Sequence, residues 1–189
     1  MDLQQAIRSR RAVREFSKEP VSRSALEWLI DSAIQAPSAV NEQPWHFTVV
    51  QDQGLLGSIS IEAKTHLLTT PPAGMHPNHL EHFSQILGDP EFHIFYHAPA
   101  LIVISSTVRD QWALENCALA AENLMLAACA DGLGTCWIGF AQSWLGTREG
   151  LATLGLSQSH LPVAPIIVGH PKSPPPTVPR KPAVIRWIG

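Results

Sequence analysis

Charge is the scarcest ingredient of this 189-residue chain. Only 15% of its residues are Asp, Glu, Lys or Arg, against about 25% in an ordinary soluble domain. Thin charge implies that part of the surface is covered in the working assembly, and a homodimer is the simplest cover. The balance of 13 basic against 16 acidic residues leaves −3, so nothing global attracts nucleic acid or an anionic membrane. Cysteine is equally thin. Cys117, Cys129 and Cys136 form no CxxC pair and no zinc spacing. An odd number without a secretion-type leader reads as reduced, buried thiols of a cytoplasmic protein. The most apolar long stretch, 113–130, contains Glu115, Asn116, Glu122 and Asn123, which excludes a comfortable membrane span. A full dinucleotide fingerprint is missing too. Gly132 and Gly134 in DGLGTC follow a helical pattern rather than a strand, so a Rossmann nucleotide site is rejected. No signature of a Ser-His-Asp triad and no internal repeat is present.

What remains is a chain with 45% apolar residues, enough for one substantial core over 1–189. Leu3, Ala6 and Ile7 lie at helical spacing, predicting a helix over 3–10. Ser24 and Glu27 read as a capping box ahead of the stripe Leu26, Leu29, Ile30, Ala33, Ile34, and this helix stops before Pro37. HFTVVQ (46–51) and ALIVISS (100–106) read as strands, the second covered on both faces. Residues 55–68 and about 79–87 read as helices around an irregular 69–78 rich in proline. The longest helix, 113–130, carries small residues that admit a close neighbour and ends at Gly132, which accepts a left-handed cap. Residues 135–138 and 163–168 read as strands, and 147–154 as a short helical segment. Pro171–Pro182 holds six prolines in twelve residues. Such an arm is stiff and reaches up to ~35 Å at about 3.1 Å per residue. It leads to strand-like AVIRWI (183–188), which reads as pairing with a partner subunit's sheet, pairing with its own being the blander option.

Two segments carry the chemistry. RSRRAVREF crowds Arg8, Arg10, Arg11 and Arg14 into seven residues. Guanidinium matches phosphate in a two-pronged geometry and stays charged at any relevant pH. A solvated helix end, where positive charge favours the C-terminal dipole, explains the same residues. APSAVNEQPWHF (36–47) is more specific. Pro37 and Pro44 stiffen it, Ser38 and Ala39 leave room for close backbone approach, and Asn41 and Gln43 each offer a donor and an acceptor. Together the segments suit a phosphate joined to a flat, hydrogen-bonding ring, which describes flavin mononucleotide. A capped turn before a strand is the plainer alternative for the loop.

These two segments, followed by GLGTCWIGF (132–140), resemble the successive signatures of the nitroreductase-like flavoproteins, and the resemblance runs across essentially the whole chain. It implies an α+β fold, a three-layer α/β/α sandwich with a mixed, mainly antiparallel sheet, whose C-terminal strand is exchanged with a partner subunit. It implies a homodimer with FMN at the interface. Electrons would pass in ping-pong fashion from NADH or NADPH through FMN to a nitroaromatic, quinone or similar small acceptor. By the same resemblance Arg10, Arg11 and Arg14 contact the phosphate and ribityl chain. Pro37, Ser38, Ala39 and Asn41 line the flavin, and Gln43 reaches it across the interface. Trp137, Ile138 and Gly139 lie against the ring with their N–H groups toward its negative charge. Arg180, or its neighbour Lys181, closes on the phosphate from the 171–189 arm. Ala12 stands where many relatives have serine, a loss of about 1 kcal/mol of hydrogen bonding to the cofactor.

Such an enzyme needs no catalytic side chain, because the cofactor carries the redox step at flavin N5. Residues 66–97 would form a variable lid that sets acceptor choice. The lid's His66, His76, His79, His82, His93 and His97 lack carboxylate or cysteine partners at metal spacing, so they read as a polar lid rather than a metal site. Other functions stay open on sequence alone: a specialised flavoenzyme for one metabolite, a flavin-binding module without turnover, or a basic-patch interaction protein with no cofactor.

Overall fold

The computed structural model describes residues 1–71 and 77–189, with the backbone alone for 77–82. Its centre is β2 (Ala100–Ser106), buried at every position. It pairs antiparallel with β1 (Trp45–Val50) on one side and with β4 (Leu161–Gly169) on the other, and β3 (Gly134–Trp137) adds outside β4. The order is β1-β2-β4-β3. The sheet expected to be mixed is antiparallel in all its named strands, and its parallel component is the single bridge Ala12–Thr135.

Helices cover both faces, and the two-residue period of β2 sorts them. Ala100, Ile102 and Ile104 face α2 (Arg23–Ala33) and α5 (Ala113–Ala130) in one apolar cluster. Leu101 and Val103 face α3 (Gln53–Thr69), α6 (Gly139–Leu145) and α7 (Arg148–Thr153) in the other. The small face of α5, with Cys117, Ala120, Ala121 and Ala128 fully buried, takes α2 against it as the composition predicted. α1 (Leu3–Ser9) packs on α5, and α4 (Pro77–Gly88) on α3.

The caps differ in part from expectation. α2 is capped by Ser22, whose hydroxyl accepts from the Ala25 N–H; Glu27, read as the return arm of a box at Ser24, instead pairs with Arg23 at 2.7 Å. α5 ends as predicted, with Gly132 at φ 77° and the Leu133 N–H reaching back to the Ala128 carbonyl, a left-handed cap that glycine adopts freely.

Residues 172–189 form no helix or strand, so the strand read at 183–188 is not formed within the protomer. Val184, Ile185, Trp187 and Ile188 are all exposed there. Of the irregular 69–78, residues 72–76 lie outside the described residues, and the helix read at 79–87 is α4.

Candidate functional site

The arginine segment reaches the sheet through one close approach. Arg10 ends α1, and the chain then runs beside β3, with the Val13 N–H donating to the Thr135 carbonyl at 2.9 Å. A Cβ at Gly134 would lie 2.8 Å from Val13, so glycine here lets the segment lie directly on β3. The consequence is that Arg14 arrives beside the end of that strand.

The end of β3 has its own cause. Ile138 would pair next with Pro165, and its N–H does donate to the Pro165 carbonyl at 2.8 Å. Proline returns no N–H, so the ladder loses half of that pair and stops at Trp137. The chain turns into α6 at Gly139. The Ile138 N–H, one of three expected to face a ring, is thereby occupied within the protein.

Between Arg14 and this turn lies a cavity of about 580 Å³. It is lined by Arg14, Tyr96, Cys136, Trp137, Ile138 and Gly139, then by Phe140, Gln142 and Ser143 of α6, Leu67 of α3 and Phe83 of α4. Its walls are chiefly apolar and aromatic. Phe83 and Phe140 meet edge to face with centroids 5.2 Å apart, and Phe92 packs behind Phe140 and Tyr96. A Cβ at Gly139 would touch nothing within 4 Å. Burial pushes the Cys136 thiol up, against the pull of Arg14. Burial likewise raises the Tyr96 phenol, again opposed by Arg14. Tyr96 and His97 both hold φ above 50°, a costly backbone for non-glycine residues.

The other predicted residues are distributed differently. Arg10 forms an ion pair with Glu122 of α5 at 3.4 Å. Arg11 folds back onto the carbonyls of Arg8 and Arg10, each at 2.7 Å, and its Nε is buried with no partner. Both line a smaller cavity of about 170 Å³ with Thr135, Leu133 and Pro171. The two arginines thus stand apart from the Arg14 cavity.

The second segment forms a tight loop around a short turn at Ala39–Asn41, with Val40, Asn41 and Gln43 all at positive φ. Asn116 of α5 fastens it: its Oδ1 accepts from the Ala39 N–H and its carbonyl accepts from the Trp45 Nε1–H, both at 3.0 Å. The Gln43 side chain donates to Asn41 Oδ1 at 3.0 Å, and its N–H to Ser38 Oγ at 2.9 Å. Within one chain, Pro37, Ser38, Ala39, Asn41 and Gln43 line neither the Arg14 cavity nor the Arg11 cavity. Arg180 is exposed on the arm.

Tyr96, Cys136, Phe140 and Ser143 complete the main cavity without having been expected. Cys136 and Phe140 lay inside the quoted GLGTCWIGF segment, flanking its chosen residues; Tyr96, like Leu67 and Phe83, lay in the 66–97 segment read as a lid, and Ser143 had no local signal. The metal reading of the histidines falls partly on His76, His79 and His82, whose side chains lie outside the described residues. Among the described residues no helix is long and apolar enough to cross a membrane.

Comparison with known proteins fits this geometry. The nitroreductase family model matches residues 7–170, and the chain belongs to that family. A nitroreductase with bound FMN from Bacteroides fragilis superposes with a TM-score of 0.86 at 23% identity, covering 100% of both chains. Iodotyrosine deiodinase bound to FMN and 3-iodo-L-tyrosine superposes at 0.80 with 25% identity, again over 100% of both. By sequence, a putative NADH dehydrogenase/NAD(P)H nitroreductase of Methanothermobacter thermautotrophicus is 39% identical over 59 residues, 31% of each chain. The matched stretch thus spans about a third of that curated relative.

Proposed function

We propose that this protein is an FMN-dependent oxidoreductase, working as a homodimer, that takes electrons from NADH or NADPH and passes them to nitroaromatic, quinone or similar acceptors. The observation that carries the reading is the cavity in which Arg14 meets Trp137, Ile138 and Gly139. Its volume suits a single flat ring system. Its wall is apolar with one guanidinium, and the open side of Gly139 leaves room for a ring to lie against the backbone. FMN supplies a reversible hydride acceptor when bound. The protein's task is to hold it: Arg14 beside the ring, Trp137, Ile138 and Gly139 against it, and Arg10 and Arg11 toward the phosphate. The orphaned Arg11 Nε is a donor in want of an acceptor, as a phosphate contact would provide.

The loop of Pro37, Ser38, Ala39, Asn41 and Gln43 enters this reading as the contribution of a second copy, with Arg180 or Lys181 closing from the arm. Its support is apolar exposure. Leu3 and Ile7 of α1, Leu114 and Leu119 of α5, and Val178, Val184, Ile185, Trp187 and Ile188 of the arm are each at least 46% exposed, more than a monomer leaves uncovered without reason. Relatives described as NADH dehydrogenase or nitroreductase support a nicotinamide donor.

An absorbance spectrum of the purified, FMN-loaded protein, taken before and after NADPH or NADH in the absence of oxygen, tests the proposal. Flavin bands that bleach support it. Protein that takes up no FMN, or FMN that neither nucleotide bleaches, overturns it. The superposition on iodotyrosine deiodinase, at a TM-score of 0.80 over the whole of both chains, favours a second reading, a specialised flavoenzyme for one metabolite. Failure to turn over both nitrofurazone and menadione after bleaching selects that reading.

A further inference from the structure

His66, in the last turn of α3, meets Ser143 of α6 across the mouth of the main cavity, with Nε2 and Oγ 2.9 Å apart. Ser143 lines the cavity and His66 does not. Ser143 lies one helical turn beyond Gly139, on the same face of α6. The chain therefore places a hydroxyl in a chiefly apolar and aromatic pocket and holds it through a partner outside the lining.

The tautomer of His66 sets the direction of the pair. An imidazole carrying its proton on Nε2, whether neutral or charged, donates to Oγ. The hydroxyl hydrogen is then released to point into the cavity. A serine without the histidine would turn its hydrogen to any nearby carbonyl, as Ser58 does with Gly54 and Ser32 with Trp28 within their helices. The other polar side chains in the lining are Arg14, Tyr96, Cys136 and Gln142. Arg14 and Tyr96 face each other, so Ser143 is the hydroxyl held toward the cavity from the α3 side.

Resting on the proposed function, we infer that Ser143 donates a hydrogen bond to an oxygen of the electron acceptor, and that His66 is the residue that positions it. This selects a substrate class. Quinones and nitroaromatics gather negative charge on oxygen as electrons arrive, and a fixed donor at that oxygen stabilises the charge where it develops. An acceptor whose change falls on carbon gains nothing from it.

The test uses full-length, FMN-loaded protein and the variants Ser143→Ala, His66→Gln and His66→Leu. The first readout is binding of acetophenone, a neutral aromatic carbonyl, followed by perturbation of the flavin absorbance. Ser143→Ala and His66→Leu weaken it about fivefold, the size of one neutral hydrogen bond. His66→Gln keeps an amide donor toward Oγ and binds like wild type. The second readout separates the two half-reactions by stopped flow. Oxidation by menadione slows about tenfold in Ser143→Ala, a modest share of what an oxyanion donor typically contributes. Bleaching by NADPH slows by less than that. Equal acetophenone affinity in all four proteins overturns the inference, as does an equal loss in both half-reactions or a His66→Gln variant as impaired as His66→Leu. Wild-type protein that NADPH and NADH fail to bleach overturns the proposed function instead, while the acetophenone titration still reports on Ser143.

Discussion

The Arg14 guanidinium stands over the Tyr96 ring, 5.9 Å from its centroid. A cation over an aromatic face is held without being neutralised, so the charge remains available to a ligand in the cavity. Arg14 reaches this point because the backbone before it lies against β3, and Tyr96 because the chain before β2 adopts a strained left-handed turn. The two halves of the site are thus placed by unrelated parts of the sequence.

Replacing Arg14 by alanine removes a charge-assisted donor at the ring edge, worth about 1.5–3 kcal/mol. FMN affinity is expected to fall roughly tenfold to a hundredfold, read by quenching of flavin fluorescence on titration. Arg14→Lys keeps the charge but loses the planar fork, so its affinity lies between the two.

Two glycines five residues apart in the same motif give opposite results. Gly134→Ala puts a methyl 2.8 Å from Val13, and overpacking of this kind costs about 1–3 kcal/mol. The melting temperature drops by roughly 3–10 °C for a chain of this size. Gly139→Ala meets no atom of the described residues within 4 Å, so the apo protein melts within about 2 °C of wild type. Its FMN affinity nonetheless falls, because the methyl enters the space assigned to the ring. Calorimetry of both apo proteins, followed by FMN titration, separates the effects.

Lys64 is only 9% exposed and has no acidic partner among the described residues. Its ammonium donates to the Asp89 and Phe92 carbonyls at 3.0 and 2.7 Å, tying α3 to the turn below Tyr96. Lys64→Met strands both carbonyls and is expected to cost about 2 kcal/mol, measured by urea denaturation. Because that turn holds Tyr96, a parallel weakening of FMN binding accompanies the loss.

Burial, with smaller contributions from His97 and Lys64, lowers the His93 imidazole to about 4. Its Nδ1 accepts the Phe95 N–H, which a protonated ring forbids. The unfolded chain takes up this proton near the ordinary value of 6.5, so between pH 6.5 and 4 it binds more protons than the folded protein. Stability is therefore lost as pH falls through that window. His93→Asn flattens the dependence of the melting temperature on pH over this range. An unaltered slope in the variant contradicts the assignment.

Much of this architecture was legible in the chain. β2 declares itself as an apolar run centred on β-branched Ile102, Val103 and Ile104, α5 by its length and small residues, and its cap by Gly132. These are local patterns, and burial on both faces leaves a distinctive composition. Helix starts were less legible: Ser22 and Ser24 are equally good caps by type, and only the backbone geometry chose Ser22. The end of β3 needed Pro165, which is 27 positions after Ile138 and whose effect exists only once the strands pair. The site was half legible for the same reason. Of the residues singled out in the sequence, Arg14, Trp137, Ile138 and Gly139 line one cavity, while Arg10 and Arg11 turn to Glu122 and to backbone carbonyls. Tyr96 and Ser143 reach the cavity, and His66 reaches Ser143, by packing of α3, α6 and the turn before β2, which no spacing in the sequence encodes.

The central claim is that one flavin ring lies between Arg14 and Gly139. A crystal structure of the protein grown with FMN tests this most directly. Ring density is expected in the cavity bounded by Arg14, Trp137, Ile138 and Gly139, with a second copy's Asn41 loop against it. Density at any other place, or an empty cavity in crystals that hold FMN elsewhere, contradicts it.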